Sequence, residues 1–158
     1  MKSASVQEIK QEINTLSKTD IAALCLRLVK YKKENKELLN FLLFEAHDID
    51  NYIKNVQLEM EELFLEINTS HIYFAKKTLR KILRITNKHI KYSANKQAEV
   101  ELLLHYCKLF KETKLHKKQS TALENIFEAQ VKKIYKAIDG LHEDLQFEYV
   151  REVELVTK

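Results

Sequence analysis

The stretch IDNYIKNVQLEMEELFLEI, residues 49–67, decides the fold class of this chain. Apolar side chains recur in it at almost strict heptad spacing, which predicts an amphipathic helix. These side chains are Ile49, Ile53, Val56, Met60, Leu63 and Ile67. Asp48 can cap the helix at its start, and Leu58 and Leu65 lie on its other side. Residues 48–67 are therefore predicted to form one long helix.

Residues that build tight turns are almost absent from the whole chain. The 158 residues include one glycine, Gly140, and no proline, although these two types usually make up roughly a tenth of a protein. Hairpin sheets need such residues at their turns, and helices do not need them. The composition therefore predicts an all-α fold without a sheet. With 45% apolar residues, a single domain spanning residues 1–158 can bury a sizeable core.

The first third of the chain is predicted to form short helices. Ser5 with Glu8 makes a capping box before the first helix, and Ser17 with Asp20 begins the second. One face of the first helix carries Val6, Ile9, Ile13 and Leu16. The lysine-rich stretch YKKENKE, residues 31–37, leads into a third helix. The apolar residues of that helix are Leu38, Leu39, Leu42 and Leu43.

The rest of the chain is also predicted to be helical. One helix covers about residues 71–92, and Ser93 caps the next, which is apolar on two sides and is expected to be central. A one-sided helix runs from Ser120 to Asp139, where Gly140 suits a left-handed position. The tail alternates like a strand but would have no partner strand, so we predict a helix. The architecture is an irregular bundle or a short stack of about six to seven helices, with the bundle favoured.

The positions of the stripes predict which side chains are buried. The predicted buried residues are Leu63, Leu79, Leu103, Cys107 and Ile134. The predicted exposed residues are Lys77, Arg84 and Lys88.

Positive charge is concentrated in residues 67–98. This segment has eight Lys or Arg and no Asp or Glu, whereas the formal net charge of the whole chain is +4. At about 100° per residue, most of these cations fall within an arc of roughly 100°, opposite the apolar stripe. We call the following residues the basic face: Lys76, Lys77, Arg80, Lys81, Arg84, Lys88 and Lys91.

Two interpretations of the basic face remain open. Clustered Lys and Arg side chains can bind the phosphates of nucleic acid, or an acidic partner, through release of counterions. The other interpretation is a solvated face. The preceding segment, Glu45 to Glu66, carries seven acidic residues against Lys54 alone, so an antiparallel neighbour could neutralise the cations. Because of this acidic segment, the sequence favours the solvated face.

Tests for a catalytic or metal site find no complete constellation. His47 and Asp48 resemble the central pair of the HD-type phosphohydrolases, but that site needs another histidine upstream and none precedes His47. Two acidic pairs, Glu45/Asp48 and Glu59/Glu62, stand in the reverse of the order found in all-helical nucleotide pyrophosphatases. The ExxH motif of a di-iron centre is absent. We therefore expect no enzyme activity, no metal and no cofactor.

The cysteines and the apolar runs bear on the compartment. Cys25 and Cys107 are isolated, without metal-ligand or redox spacing, which is typical of the reduced cytoplasm. The longest nearly uncharged apolar runs, such as Leu38 to Phe44, are far shorter than the roughly 20 residues of a membrane span. The N-terminus shows no secretory signal. We expect a cytoplasmic protein that does not span a membrane.

Three stretches of the sequence carry a family resemblance. They are YKKENKELLNFLLFEAHD (31–48), FAKKTLRKILRITNKHIKYS (74–93) and EVELLLHYCK (99–108). In them the chain resembles members of a family of uncharacterised all-helical bacterial proteins. The resemblance implies an intracellular bacterial protein and implies no activity, cofactor or site residue.

Three classes of function follow from these observations. The favoured class is a helical protein-interaction module, with another protein as its partner. The alternative is a binder of nucleic acid or another anionic partner through the basic face, residues 76–91. The second alternative is a small enzyme with an unrecognised site, which ranks last because no inward face carries a polar constellation.

Overall fold

Residues 2–158, which the computed structural model describes, form eight α-helices and no strand. The helices are α1 (Val6–Thr15), α2 (Lys18–Tyr31), α3 (Lys33–Asn40), α4 (Ile49–Leu65), α5 (Ile72–Ser93), α6 (Lys96–Glu112), α7 (Thr121–Ile138) and α8 (Glu143–Thr157). A π-helical turn, Phe41–Glu45, follows α3, and a 3-10 turn, Leu115–Lys117, follows α6. The all-α prediction is confirmed, and the predicted number of helices is too low.

The chain divides into two compact units, which meet in sequence between Phe44 and Glu45. The N-terminal unit contains α1, α2 and α3, and the C-terminal unit contains α4 to α8. The single domain expected from the length stays a prediction. Among residues 2–158, no helix has both the length and the apolar character that crossing a membrane requires.

The N-terminal unit has well-formed helix caps but almost no core of its own. The predicted capping box is present, because Ser5 Oγ accepts from the Glu8 N–H at 3.3 Å and Glu8 Oε2 accepts from the Ser5 N–H at 2.7 Å. Helices α2 and α3 pack as a hairpin, and Asn35 Nδ2 donates to the Leu28 carbonyl at 2.8 Å. Among residues 2–44, Phe41 alone is buried. The apolar faces of these helices are therefore largely open to solvent.

Helix α6 lies at the centre of the C-terminal unit, as its two apolar sides predict. It packs against α4, α5, α7 and α8. Its buried residues are Ala98, Val100, Leu102, Leu103, Leu104, Tyr106, Cys107 and Phe110. Because α6 buries apolar side chains against each of these four helices, the core of this unit is built around it.

Polar contacts fix the orientation of the helices around α6. The Tyr106 hydroxyl donates to the Leu79 carbonyl of α5 at 3.3 Å, and its ring meets Phe64 of α4 edge to face at 5.2 Å. On the other side, the Tyr149 hydroxyl of α8 donates to Glu101 Oε1 at 2.6 Å. These contacts join α5, α6 and α8 through residues far apart in sequence.

Most of the predicted burial pattern is confirmed. Leu79, Leu103, Cys107 and Ile134 are buried, while Lys77 and Arg84 are exposed. The prediction for Leu63 is wrong, because this side chain is half-buried. The adjacent Phe64 ring is the one that packs against Tyr106. The prediction for Lys88 is also wrong, because this side chain is half-buried rather than exposed. The long stem of a lysine can lie along neighbouring surface while its charged end reaches water.

Two predicted helix ends are corrected by the backbone. Ser93 belongs to α5, and α6 is instead capped by Asn95, whose Oδ1 accepts from the Ala98 N–H at 2.9 Å. The left-handed residue between these helices is Ala94, with φ 46°. Gly140 is not left-handed, because the chain leaves α7 through tight turn hydrogen bonds such as Gly140 N–H to the Ala137 carbonyl at 3.1 Å. The tail after it is helical, as predicted.

Candidate functional site

Helix α5 holds the basic face away from the core. Its buried residues are Ala75, Leu79, Ile82 and Thr86, which lie on the side that packs against α4 and α6. The Thr86 hydroxyl donates to the Ile82 carbonyl at 2.9 Å, so this polar group is satisfied within the helix. The opposite side of the helix carries the cations, as the sequence predicts.

The members of the basic face differ in exposure. The exposed ones are Lys77, Arg80, Lys81, Arg84 and Lys91, and the half-buried ones are Lys76 and Lys88. The structure thus brings all seven predicted residues onto one helix, with five of them open to solvent.

The acidic helix α4 forms no ion pair with six of the seven cations of the basic face. Its Glu59 Oε2 lies 3.2 Å from His89 Nε2, and its Glu61 Oε1 lies 3.1 Å from His105 Nε2. Two carboxylates of α4 are thus directed at histidines. Within the described part of the chain, six cations of the basic face have no ion pair and no side-chain hydrogen bond: Lys76, Lys77, Arg80, Lys81, Arg84 and Lys91.

An open groove of about 670 Å³ runs along the N-terminal part of the basic face, as far as Arg84. It is lined by Tyr73, Lys76, Lys77, Arg80, Leu83 and Arg84. Tyr73 and the adjacent Phe74 are 66% and 52% exposed, and their rings meet edge to face at 5.3 Å. Four cations and an exposed aromatic ring therefore share one concave surface, which contains no acidic residue.

The two histidines that contact α4 belong to structural clusters. His89 Nδ1 lies 2.7 Å from the Tyr52 hydroxyl, with Glu59 at its other nitrogen. Burial lowers the pKa of His105 below its ordinary value, against the opposing influence of the Glu61 carboxylate. Among residues 2–158, no three His, Cys, Asp or Glu side chains lie close enough together to hold a metal ion. These clusters connect α4 to α5 and α6.

The lowered pKa of His105 predicts a pH dependence of stability. The unfolded chain takes up the histidine proton at a higher pH than the folded chain, so the free energy of unfolding falls as pH drops below about 6.5. We expect His105→Gln to lose less of its stability than the wild type between pH ~7 and ~5, measured by urea unfolding. His47→Gln, at an exposed position, should follow the wild-type profile. Coincident profiles for all three proteins would contradict the prediction.

A second candidate surface lies on the N-terminal unit. Helix α1 has no buried residue, and its apolar stripe is open to solvent, with Val6 85% exposed. The other members of this stripe are Ile9, Ile13 and Leu16, all exposed. The sequence predicts the stripe but not its exposure, since periodicity shows which side chains share a face and not what covers that face.

An apolar groove of about 210 Å³ lies between α2 and α3. It is lined by Cys25, Leu28, Val29, Asn35, Leu38, Leu39 and Leu42. None of these residues is charged, and the amide of Asn35 is engaged with the Leu28 carbonyl. The groove therefore offers an apolar surface to a side chain or helix that enters it.

Comparison of the chain with protein-family models, with curated proteins and with solved structures finds no match. The resemblance to a family of all-helical bacterial proteins therefore stays a prediction. A proposal of function therefore rests on the surfaces described above.

Proposed function

We propose that the chain is a helical protein-interaction module whose N-terminal unit binds an amphipathic helix, and that a second copy of the chain supplies this helix. The observation that carries the proposal is the exposure of apolar faces on α1, α2 and α3. Contiguous exposed apolar surface of this kind marks a contact site for another protein. The apolar stripe of α1 would insert its side chains into the apolar groove between α2 and α3.

The stripe and the groove match each other in chemistry. Helix α1 carries Glu8 and Glu12 along one edge of its apolar stripe and Lys10 along the other. Residues 26–37, which surround the groove, carry five Lys or Arg and two Glu, a net charge of +3. An acidic helix edge would therefore meet a basic groove edge, which favours this pairing and its orientation. Each copy has one stripe and one groove, so exchange between two copies forms a closed, symmetric dimer.

The energies favour a reciprocal exchange over a single contact. Covering the exposed parts of Val6, Ile9, Ile13 and Leu16 would contribute roughly 3–6 kcal/mol for one α1. Association costs about 4–15 kcal/mol before any gain appears, so one seated helix offsets only the lowest part of that cost. Seating two helices and covering the leucines of two grooves contributes a burial free energy that exceeds the lower part of that cost. We therefore expect a dimer that dissociates at micromolar concentration.

Light scattering on the full chain after size exclusion tests the proposal. The molar mass should rise with concentration from 18.7 kDa towards twice that value. Ile9→Asp with Ile13→Asp should keep the mass at that of one chain, because two carboxylates would be forced into an apolar groove. The matched control is Gln7→Asp with Gln11→Asp, which adds the same charge on the opposite side of α1 and should dimerise like the wild type.

Two outcomes would overturn the proposal. A wild-type mass of one chain throughout the micromolar range would remove the second copy as the partner. Equal loss of dimer in the stripe variant and in its control would mean that added charge, and not the apolar stripe, governs association. Circular dichroism should show the same helical content in all three proteins, because the substituted side chains are exposed.

A further inference from the structure

We infer that the groove along α5 binds single-stranded nucleic acid, with the phosphates on the basic face and a base on the aromatic ring of Tyr73. This site uses residues of α5, whereas the proposed dimer contact uses α1, α2 and α3. The inference rests on three features of α5: unpaired cations, a continuous arc of charge, and exposed aromatic rings at one end of that arc.

The first feature is the lack of ion-pair partners for six of the seven cations of the basic face. Six members of the basic face make no ion pair within residues 2–158, and residues 67–98 contain no Asp or Glu. The nearest acidic helix, α4, directs Glu59 and Glu61 at histidines instead. These six cations are therefore available to a ligand, and a polyanion gains affinity there by releasing its counterions.

The second feature is the length of the charged arc. Lys77 and Lys91 are 14 residues apart on one helix, which corresponds to about 21 Å at 1.5 Å per residue. Arg80, Lys81 and Arg84 lie between them on the same side. A row of this length can follow several consecutive phosphates of one strand, so binding should involve multiple contacts rather than one anion.

The third feature selects nucleic acid over other polyanions. Tyr73 lines the groove beside Lys76 and Lys77, and Phe74 is exposed next to it. Exposed aromatic rings next to cations stack on unpaired bases, whatever the sequence of the strand. Bases within a duplex are already stacked on each other, and an acidic peptide or an anionic lipid has no base. Single-stranded nucleic acid therefore uses every feature of the groove.

Fluorescence anisotropy with labelled single-stranded DNA and RNA oligonucleotides tests this inference on the full chain. Binding is expected at low salt, and the logarithm of the affinity should fall by about 0.7 per phosphate contact for each log unit of salt. Lys77→Glu, Arg80→Glu and Arg84→Glu together should weaken binding at least about a hundredfold. The matched control is Lys132→Glu, Lys133→Glu and Lys136→Glu on α7, which removes the same charge at exposed positions and should change affinity by less than about threefold.

Tyr73→Ala separates stacking from charge. Loss of one base–aromatic stack should weaken single-strand binding roughly five- to 150-fold while leaving the salt dependence unchanged. Tyr73→Phe keeps the ring and should bind like the wild type, which would show that the loss in Tyr73→Ala comes from the missing ring and not from a change in the fold. Circular dichroism of each variant checks that the fold is retained.

Several results would overturn the inference. Absence of binding at low salt would remove the site. Equal weakening by the α5 and α7 triple variants would show attraction by net charge alone. Tighter binding of the duplex of the same sequence, or equally tight binding of polyglutamate or of vesicles rich in anionic lipid, would remove single-stranded nucleic acid as the ligand.

Discussion

Replacing Leu103 by alanine is expected to lower the free energy of unfolding by about 2–5 kcal/mol. Leu103 is completely buried in α6, the helix that packs against four others. Removing its branched end leaves a cavity that those helices can fill only by moving together, and a close-packed interior resists such movement. Urea unfolding followed by circular dichroism and by tyrosine fluorescence measures the change.

The control for this prediction is Leu58→Ala on α4. Leu58 is 57% exposed, so its truncation removes few contacts and should change the free energy of unfolding by less than about 0.5 kcal/mol. Similar effects of the two substitutions would mean that α6 does not form the centre of the C-terminal unit.

The thiol of Cys107 is expected to react at least about tenfold more slowly in the folded protein than in the unfolded chain. Burial raises its pKa to about 12, while the nearby Lys111 lowers it by a smaller amount. The thiolate is the reactive form, and a pKa of about 12 leaves almost none of it at pH ~8. The side chain is also closed to a reagent, because it is 1% exposed.

Alkylation of the Cys25→Ser variant by iodoacetamide measures this protection, because Cys107 is then the remaining thiol. The rate in urea provides the reference for the unfolded chain. A native rate within tenfold of the urea rate would contradict both the burial of Cys107 and the position of α6. The wild type should incorporate label faster than this variant, since Cys25 is half-buried at the edge of an open groove.

The fold class and the central helix could be predicted from the sequence because both depend on local patterns. The lack of glycine and proline leaves helices as the regular structure, and apolar residues on both sides of α6 require neighbours on both sides. Helix α8 is harder to predict from the sequence, because Leu145, Phe147 and Tyr149 alternate with polar residues as in a strand. The structure places Phe147 in solvent and Tyr149 in the core, so their alternation is a by-product of an amphipathic helix.

The partners of the charged residues could not be predicted, because they depend on how helices are rotated against each other. The sequence shows an acidic helix followed by a basic one, which is compatible with mutual neutralisation. The rotation of α4 instead brings Glu59 to His89 and Glu61 to His105. A shift of one residue along either helix turns a side chain by about 100°, and a one-dimensional pattern does not determine that shift.

The exposure of the N-terminal helices could not be predicted from the sequence for a related reason. A stripe such as Val6, Ile9, Ile13 and Leu16 usually faces the core of its own chain. In this chain the stripe is exposed. The groove between α2 and α3 is lined by residues from separate helices, so it exists only after the hairpin has folded. Sequence patterns predict the apolar surfaces, and only the tertiary structure shows which of them remain open.

A disulfide between two copies of the chain tests the seating of α1 in this groove most directly. Cys25 lines the groove, and Ile13 lies in the middle of the stripe that would enter it. Mild oxidation of the Ile13→Cys variant should yield a reducible species of about twice 18.7 kDa, and added Cys25→Ser should abolish it. Gln11→Cys, on the opposite side of α1, should stay at the mass of one chain. An Ile13→Cys variant that also stays at 18.7 kDa, whether unlinked or closed by an internal disulfide, would contradict the proposed dimer.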